Sequence, residues 1–130
     1  MPITALYAAL LAGIFVVLSV RVIAARRGSG APLGDGGNPA LLRRIRVQGN
    51  FSEYVPLALI LLGLAEGLHA PRLLLHLLGL ALLIGRLSHA VGVSRSNEQF
   101  AFRVTGVAFT LTMLICAAIT CLAAALLHQY

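Results

Sequence analysis

Four long apolar segments are the feature of this chain that most limits its possible folds. They cover about residues 3–25, 51–68, 73–93 and 102–127. Each is close to the roughly 20 residues that a helix needs to cross a hydrocarbon core of about 30 Å. Because unpaired backbone groups are not tolerated in lipid, these segments are expected to be helices. The chain is therefore predicted to be all-α, an integral membrane four-helix bundle.

The second helix is predicted to begin well before its apolar part. Residues 28–37 form a glycine-rich linker, and Asn38 followed by Pro39 is typical of an N-cap and the first helical position. Pro56 is expected to loosen the turn before it, and Pro71 to break the turn that follows the second helix. The prediction is one domain, 1–130, with membrane helices at about 3–25, 39–68, 73–93 and 102–127.

The charges predict an orientation in the membrane. The chain is 59% hydrophobic with a net charge of +6, and all ten of its basic residues are arginines. In the predicted topology Arg72 lies at one membrane face, and nine arginines lie at the other, namely Arg21, Arg26, Arg27, Arg43, Arg44, Arg46, Arg86, Arg95 and Arg103. Cytoplasmic loops carry an excess of positive charge. Loops one and three are therefore expected to be cytoplasmic, with both termini on the opposite side, and nucleic-acid binding is not needed to explain the basic pI.

Several kinds of site are disfavoured by the sequence. Cys116 and Cys121 lie five residues apart on one predicted helix, so they are interpreted as buried small hydrophobes rather than as a disulfide. The histidines form no metal or haem pattern, so no metal site is predicted. A proton-coupled transporter of the small multidrug type would use a mid-membrane carboxylate, but helix one carries no acid. A transporter of this type is therefore only a minor alternative hypothesis.

One face of the second helix concentrates polar groups at the mouth of an apolar segment. At 100° per residue, an arc of roughly 100° holds Arg43, Arg46, Asn50, Glu53 and Tyr54. Cations, an amide, a carboxylate and a phenol on one face suit a small zwitterionic ligand that carries carboxylates and an amine. The alternative is structural: the charged residues pair with neighbours, and the amide and phenol form interhelical hydrogen bonds.

Further polar residues are predicted at the same membrane face. They are Arg26 with Arg27 at the end of helix one, Arg86 with His89 on one face of helix three, and Arg103 at the start of helix four. Each group has an ordinary explanation. Arg26 and Arg27 can be stop charges that set the topology. Arg86 can be a snorkelling arginine beside an interfacial His89, and Glu98 can neutralise Arg103. Alternatively, Arg103 meets an anion from elsewhere, since a cation is unfavourable at a helix N-terminus.

Together these segments resemble the MAPEG family, the membrane-associated proteins in eicosanoid and glutathione metabolism. Residues 46–56, RVQGNFSEYVP, resemble the family's Arg-x-Gln-x-Asn-x-x-Glu-Tyr-x-Pro signature. Residues 22–27, VIAARR, are similar to the end of helix one in leukotriene C synthases. Residues 86–89, RLSH, resemble the helix-three Arg-x-x-His of microsomal prostaglandin E synthase. The resemblance covers nearly the whole chain.

The resemblance implies a homotrimer of four-helix protomers that binds glutathione between neighbouring protomers near the cytoplasmic side. It implies that glutathione is held by Arg26, Arg46, Gln48, Asn50, Glu53, Tyr54 and His89. Glu53 would meet the γ-glutamyl amine, Arg103 would stabilise the thiolate, and Arg27 would assist the electrophile or leaving group. The expected function is that of a bacterial inner-membrane, glutathione-dependent transferase or peroxidase, with glutathione as co-substrate and a hydrophobic or lipid electrophile arriving through the bilayer.

The chain departs from the family at two points. Leukotriene C synthases have two helix-three tyrosines where this chain has His89 and Val93, and the prostaglandin synthase keeps a Tyr at the second place. The spacing from Val93 to Arg103 is also one residue longer. Relatives such as the 5-lipoxygenase-activating protein bind lipid without catalysis. A non-catalytic lipid- or protein-binding scaffold of the same fold therefore remains the alternative function.

Overall fold

The computed structural model describes residues 1–95, 97 and 99–127. The described residues form four α-helices, α1 Pro2–Ser29, α2 Pro39–Gly67, α3 Arg72–Ser94 and α4 Phe100–Leu127. The predicted all-α fold is confirmed. Helix α2 packs against each of the other three helices, and α3 and α4 have the most extensive contact. Glu98, the residue predicted to neutralise Arg103, and His128 lie outside the described residues.

By length and apolar composition, three of the described helices can cross a membrane, namely α1, α3 and α4. Helix α2 does not reach the same apolar composition. Its first half carries three arginines together with Gln48, Asn50 and Glu53, while its second half is apolar. Four of the polar residues in this first half, Arg43, Arg46, Asn50 and Glu53, line the site described below.

Helix α2 begins at the predicted position for the predicted reason. The Oδ1 atom of Asn38 accepts hydrogen bonds from the backbone N–H groups of Ala40 and Leu41 at 2.9 and 3.3 Å. These bonds satisfy donors that have no partner inside the helix. The helix continues through Pro56 to Gly67. Because α2 starts at this cap, the arginines of its first turns lie at the end of the bundle where α1 ends and α4 begins.

At the opposite end of the bundle, polar contacts attach α1 to its neighbours. The Glu66 carboxylate at the end of α2 accepts the backbone N–H groups of Ile3 and Thr4 at 3.0 and 2.8 Å, which caps the start of α1. The Tyr7 hydroxyl donates to the His76 carbonyl oxygen on α3 at 3.1 Å. These contacts fix α1 against α2 and α3 far from the arginine-rich end.

Helices α3 and α4 approach closely because glycines stand at their contacts. A Cβ atom added at Gly106 would lie 2.6 Å from the Gly85 carbonyl oxygen and 2.6 Å from the His89 backbone nitrogen. A Cβ atom added at Gly92 would lie 2.7 Å from the Arg103 backbone nitrogen. Small residues that let helix backbones meet are typical of membrane helix pairs. The first turns of α4 are thereby held against the last turns of α3.

The core and the outer surface are both apolar, as expected for a bundle in lipid. Leu11, Leu62, Leu82 and Met113 are almost completely buried where the helices meet. Large aliphatic side chains also cover the outside, where lipid rather than water is the natural solvent. Cys116 is exposed on this outer surface and Cys121 is half-buried, and both are free thiols. The interpretation of both cysteines as buried is therefore wrong for Cys116, because it lies on the outward face of α4.

Candidate functional site

A polar cleft of about 680 Å³ opens between α2, α3 and α4 at the arginine-rich end of the bundle. Its lining combines charged, polar and apolar residues, namely Leu42, Arg43, Ile45, Arg46, Gly49, Asn50, Glu53, His89, Val93 and Arg103. The volume lies within the roughly 300–1,000 Å³ that is typical of small-molecule sites. Five of the residues predicted to bind glutathione or act on it share this cleft: Arg46, Asn50, Glu53, His89 and Arg103.

The charges around the cleft are of both signs. Arg43, Arg46 and Arg103 contribute guanidinium groups, and Glu53 contributes a carboxylate. Among the residues that the structure describes, the Glu53 side chain pairs with no other residue, and it is exposed at the cleft. This arrangement does not support the structural alternative in which Arg46 and Glu53 pair within the bundle. The cleft is therefore suited to an anionic ligand that also carries one amine.

A buried arginine forms the polar network behind the cleft. Arg86 of α3 is only 2% exposed. It donates a 2.7 Å hydrogen bond to Asn50 Oδ1 and a 3.4 Å hydrogen bond to the Gly106 carbonyl oxygen, and its guanidinium carbon lies 5.5 Å from the centre of the Tyr54 ring. The snorkelling interpretation of Arg86 is therefore wrong. Snorkelling places the charge in water, whereas this charge is held between α2, α3 and α4.

The network around Arg86 also orients the Asn50 side chain at the cleft. Because Arg86 donates to Asn50 Oδ1, the Asn50 amide nitrogen keeps its two donors for another acceptor. The structural alternative of interhelical hydrogen bonding is thus correct for Asn50, whereas Tyr54 meets Arg86 through its ring. Asn50 joins α2 to α3 through its oxygen and still lines the cleft. One residue can hold the bundle together and present a donor to a ligand.

Arg103 reaches the cleft because α4 begins directly beside the end of α3. Its backbone nitrogen lies next to Gly92, and the Gln99 backbone N–H donates to the Gly92 carbonyl oxygen at 3.2 Å. The longer sequence spacing between Val93 and Arg103 is thus accommodated, since both residues line the cleft. Val93, at 8% exposure, provides an apolar wall at the place where the leukotriene C and prostaglandin E synthases that the sequence resembles have a phenol.

Four of the predicted site residues do not line this cleft within one protomer: Arg26, Arg27, Gln48 and Tyr54. Tyr54 contacts Arg86 behind the cleft. Gln48 lies roughly 170° around α2 from the middle of the polar face, so its side chain points away from the cleft. Arg26 donates to the carbonyl oxygens of Ala31 and Gly34, which holds the start of the loop that follows α1. Arg27 is exposed at the end of α1.

Sequence reasoning missed the position of Arg86, although a signal was present. An arginine inside an apolar segment needs an internal partner or access to water. Asn50 and Tyr54 were available on the facing helix, and the glycines at positions 85 and 106 allowed α4 to close over the guanidinium. The apolar lining by Leu42 and Ile45 had no distinctive sequence signal, because aliphatic residues are common throughout the chain.

These features define a class: an integral membrane four-helix protein with a polar cleft at one end of the bundle. The chain belongs to the MAPEG family, whose model matches residues 4–125. It is similar to the Inner membrane protein YecN of Escherichia coli strain K12, with 35% identity over 108 residues that cover 83% of this chain and 81% of the relative. The YecN protein of Escherichia coli O6:H1 strain CFT073 has the same identity and coverage.

Proposed function

We propose that the protein is a membrane-bound glutathione-dependent transferase or peroxidase that acts on hydrophobic electrophiles. The observation that carries this proposal is the composition of the cleft. Three arginines, one unpaired carboxylate, an amide and a histidine share about 680 Å³ beside the lipid-facing surface. Glutathione carries two carboxylates, one amine and a thiol, so its charges complement those of the cleft. A hydrophobic electrophile could reach the same place through the bilayer.

Each polar residue has a specific task in this proposal. Glu53 accepts hydrogen bonds from the γ-glutamyl amine, and Arg46 together with Arg43 binds carboxylate, for which guanidinium is well suited. Asn50 donates through its amide nitrogen, whose orientation is set by Arg86. His89, at 6% exposure, provides a ring nitrogen at the inner end of the cleft. These contacts would place the thiol toward α4.

Arg103 is the residue proposed to activate the thiol. The thiol supplies the nucleophile, and a nearby guanidinium favours its thiolate form. Lowering a thiol pKa from about 8.5 to about 6.5 corresponds to roughly 2.7 kcal/mol of preferential stabilisation of the thiolate. Arg27 is proposed to assist the electrophile or leaving group. In a single protomer Arg27 lies at the end of α1 rather than at the cleft, so this role requires a second protomer.

A homotrimer with the site between protomers accounts for the residues that the cleft lacks. Gln48 and Arg26 lie away from the cleft, so neither can contribute to it within the same protomer. In a trimer, a neighbouring protomer can bring its own Gln48 and Arg26 to the open side of the cleft. The proposal also includes an inner-membrane location with the cleft facing the cytoplasm, supported by the nine-to-one distribution of arginines and by the printed name of the YecN relatives.

Glutathione titration of the purified protein tests the proposal. The chain has no tryptophan and three tyrosines, so the ultraviolet absorbance band of the thiolate is measured against a low aromatic background. The native protein should bind glutathione and increase the thiolate absorbance at neutral pH. Arg103→Ala should lose most of that absorbance, while Arg72→Gln at the opposite end of the bundle should retain it. Absence of glutathione binding by the native protein would exclude the enzyme proposal.

The second candidate function is a non-catalytic scaffold that binds lipid or protein. Val93 favours it, because an aliphatic wall replaces a phenol next to the proposed thiolate site. A chloronitrobenzene electrophile distinguishes the two functions. The enzyme should conjugate it to glutathione and lose this activity in Arg103→Ala. The scaffold should bind a lipid or partner tightly and give no conjugate above the uncatalysed rate.

A further inference from the structure

A second concave surface lies on the other side of the protomer, between α1 and α3. This groove has a volume of about 610 Å³ and shares no lining residue with the polar cleft. Leu10, Gly13 and Val17 line it from α1, and Leu87 and Val91 line it from α3. The lining is apolar along most of its length, so the groove offers an acyl chain the same contacts that lipid tails make with one another.

Three polar residues lie at one end of the groove: Arg21, Ser94 and Arg95. The Arg21 guanidinium donates to the Ser94 hydroxyl at 3.4 Å. Within the described residues, the Arg21 side chain has this hydroxyl as its partner and no carboxylate. Arg21 is half-buried and Arg95 is exposed. Among the described residues that line the groove there is no carboxylate, so the two guanidinium groups and the hydroxyl form a surface with donors for an anion.

The dimensions of the groove match one leaflet of a bilayer. From Leu10 to Arg21 the α1 helix rises about 16 Å, close to half of a hydrocarbon core of roughly 30 Å. Ser94 is the last residue of α3, so its contact with Arg21 places the arginine level with the end of a membrane helix. The polar end of the groove is therefore at the depth of headgroups, and the apolar part is at the depth of acyl chains.

We propose that this groove binds one anionic glycerophospholipid of the surrounding bilayer in each protomer. An acyl chain lies along the apolar part, and the phosphate lies between Arg21, Arg95 and the Ser94 hydroxyl. Charge complementarity selects this occupant, because basic pockets between membrane helices bind anionic headgroups. The site is independent of the proposed glutathione chemistry, since the groove and the polar cleft share no lining residue.

Lipid titration by native mass spectrometry tests the proposal, with phosphatidylglycerol and phosphatidylcholine of identical acyl chains as the probes. The intact protein should bind one phosphatidylglycerol per protomer with roughly thirtyfold higher affinity than phosphatidylcholine, because each of the two arginines contributes about a fivefold preference for an anionic headgroup. The double variant Arg21→Gln with Arg95→Gln should lose this preference. Arg72→Gln should keep it. Equal affinity of the native protein for the two lipids would overturn the headgroup assignment.

A second variant tests the position of the acyl chain. A Cβ at Gly13 meets no atom within 4 Å, so Gly13→Leu should fill the groove without displacing the helices. It should weaken binding of both lipids about tenfold while circular dichroism shows unchanged helix content. Gly28→Leu, also in open space but outside the groove, is the matched control. Unchanged lipid affinity in Gly13→Leu would contradict the proposal. A disulfide between two copies of Gly13→Cys, made in a background lacking Cys116 and Cys121, would also contradict it, because the groove would then face a second copy rather than lipid.

Discussion

Arg86 is a charged side chain almost completely enclosed by α2, α3 and α4. It donates to Asn50 and to the Gly106 carbonyl oxygen and lies against the Tyr54 ring. Its Nε atom is buried without a hydrogen-bond partner in the structure. The side chain links three helices, and its removal would leave Asn50 Oδ1 without its donor, while the Gly106 carbonyl oxygen would keep the Thr110 hydroxyl. A residue of this kind affects stability and the geometry of the neighbouring site together.

Replacing Arg86 is expected to destabilise the bundle. Arg86→Ala leaves Asn50 Oδ1 without its donor, which costs roughly 1–3 kcal/mol for a polar group left unpaired. The Gly106 carbonyl oxygen keeps the Thr110 hydroxyl as its donor. Arg86→Lys should have a smaller effect, because an ammonium group still donates hydrogen bonds although it lacks the planar guanidinium fork. Thermal unfolding in detergent measures the change. Arg72→Gln, exposed at the start of α3, should unfold as the native protein does.

A native-like unfolding temperature for Arg86→Ala would contradict this account of the network. The same variant should also weaken glutathione binding if the proposed function is correct, since Asn50 would no longer be held in one orientation. Stability loss without any change in glutathione affinity would mean that Asn50 does not contact the ligand.

The α3–α4 pair is the element that brings helix-four residues to the site. Glycines at positions 85, 92 and 106 allow these two helices to meet at the backbone. His89 and Val93 lie on α3 and Arg103 lies on α4, and all three line one cleft. The distance between the two backbones therefore decides whether the α3 and α4 residues can act on one ligand.

A methyl group at Gly106 is expected to separate the two helices. The added Cβ would be 2.6 Å from two backbone atoms of α3, which cannot rotate away. Gly106→Ala should therefore destabilise the protein by roughly 1–3 kcal/mol, as overpacked sites do. Gly13→Ala, which meets open space in the middle of α1, should be neutral or slightly stabilising because alanine is the better helix former. Chemical or thermal unfolding of both variants under one set of conditions compares them.

At the scale of the whole molecule, one protomer presents two different faces. One face carries the cleft with Arg103, and the other carries Gln48 and the end of α1 with Arg26. Two unlike faces that complete each other generate a closed ring when the rotation between copies closes. The proposed trimer is such a ring, with one site at each junction between protomers.

Mixed trimers test whether the site lies at those junctions. Arg103→Ala disables the cleft, and the double variant Arg26→Gln with Gln48→Ala disables the opposite face. Each variant alone should have little conjugating activity. Co-expression of the two should restore roughly a quarter of the native activity, because random assembly places an intact cleft beside an intact face at that frequency. Affinity tags on each variant verify mixing, and mixed trimers that remain inactive would exclude a shared site.

Much of the fold followed from local sequence patterns. The 20-residue apolar segments required helices, since lipid leaves backbone groups no other partner. Asn38 with Pro39 marked the start of α2, because the side-chain cap and fixed proline conformation act within one turn. The polar face of α2 was also readable from helical periodicity. Its residues Arg46, Asn50 and Glu53 now line the same cleft.

Tertiary structure decided how these helices combine. Sequence alone determined the all-α membrane fold, the position of the helices and the polar face of α2, because these depend on neighbours within a few turns. The burial of Arg86, the arrival of Arg103 beside His89 and the separation of Gln48 from the cleft depend on the rotation and spacing of packed helices. Those quantities arise from contacts between residues far apart in sequence, above all the glycine contacts of α3 with α4, so local patterns could not specify them.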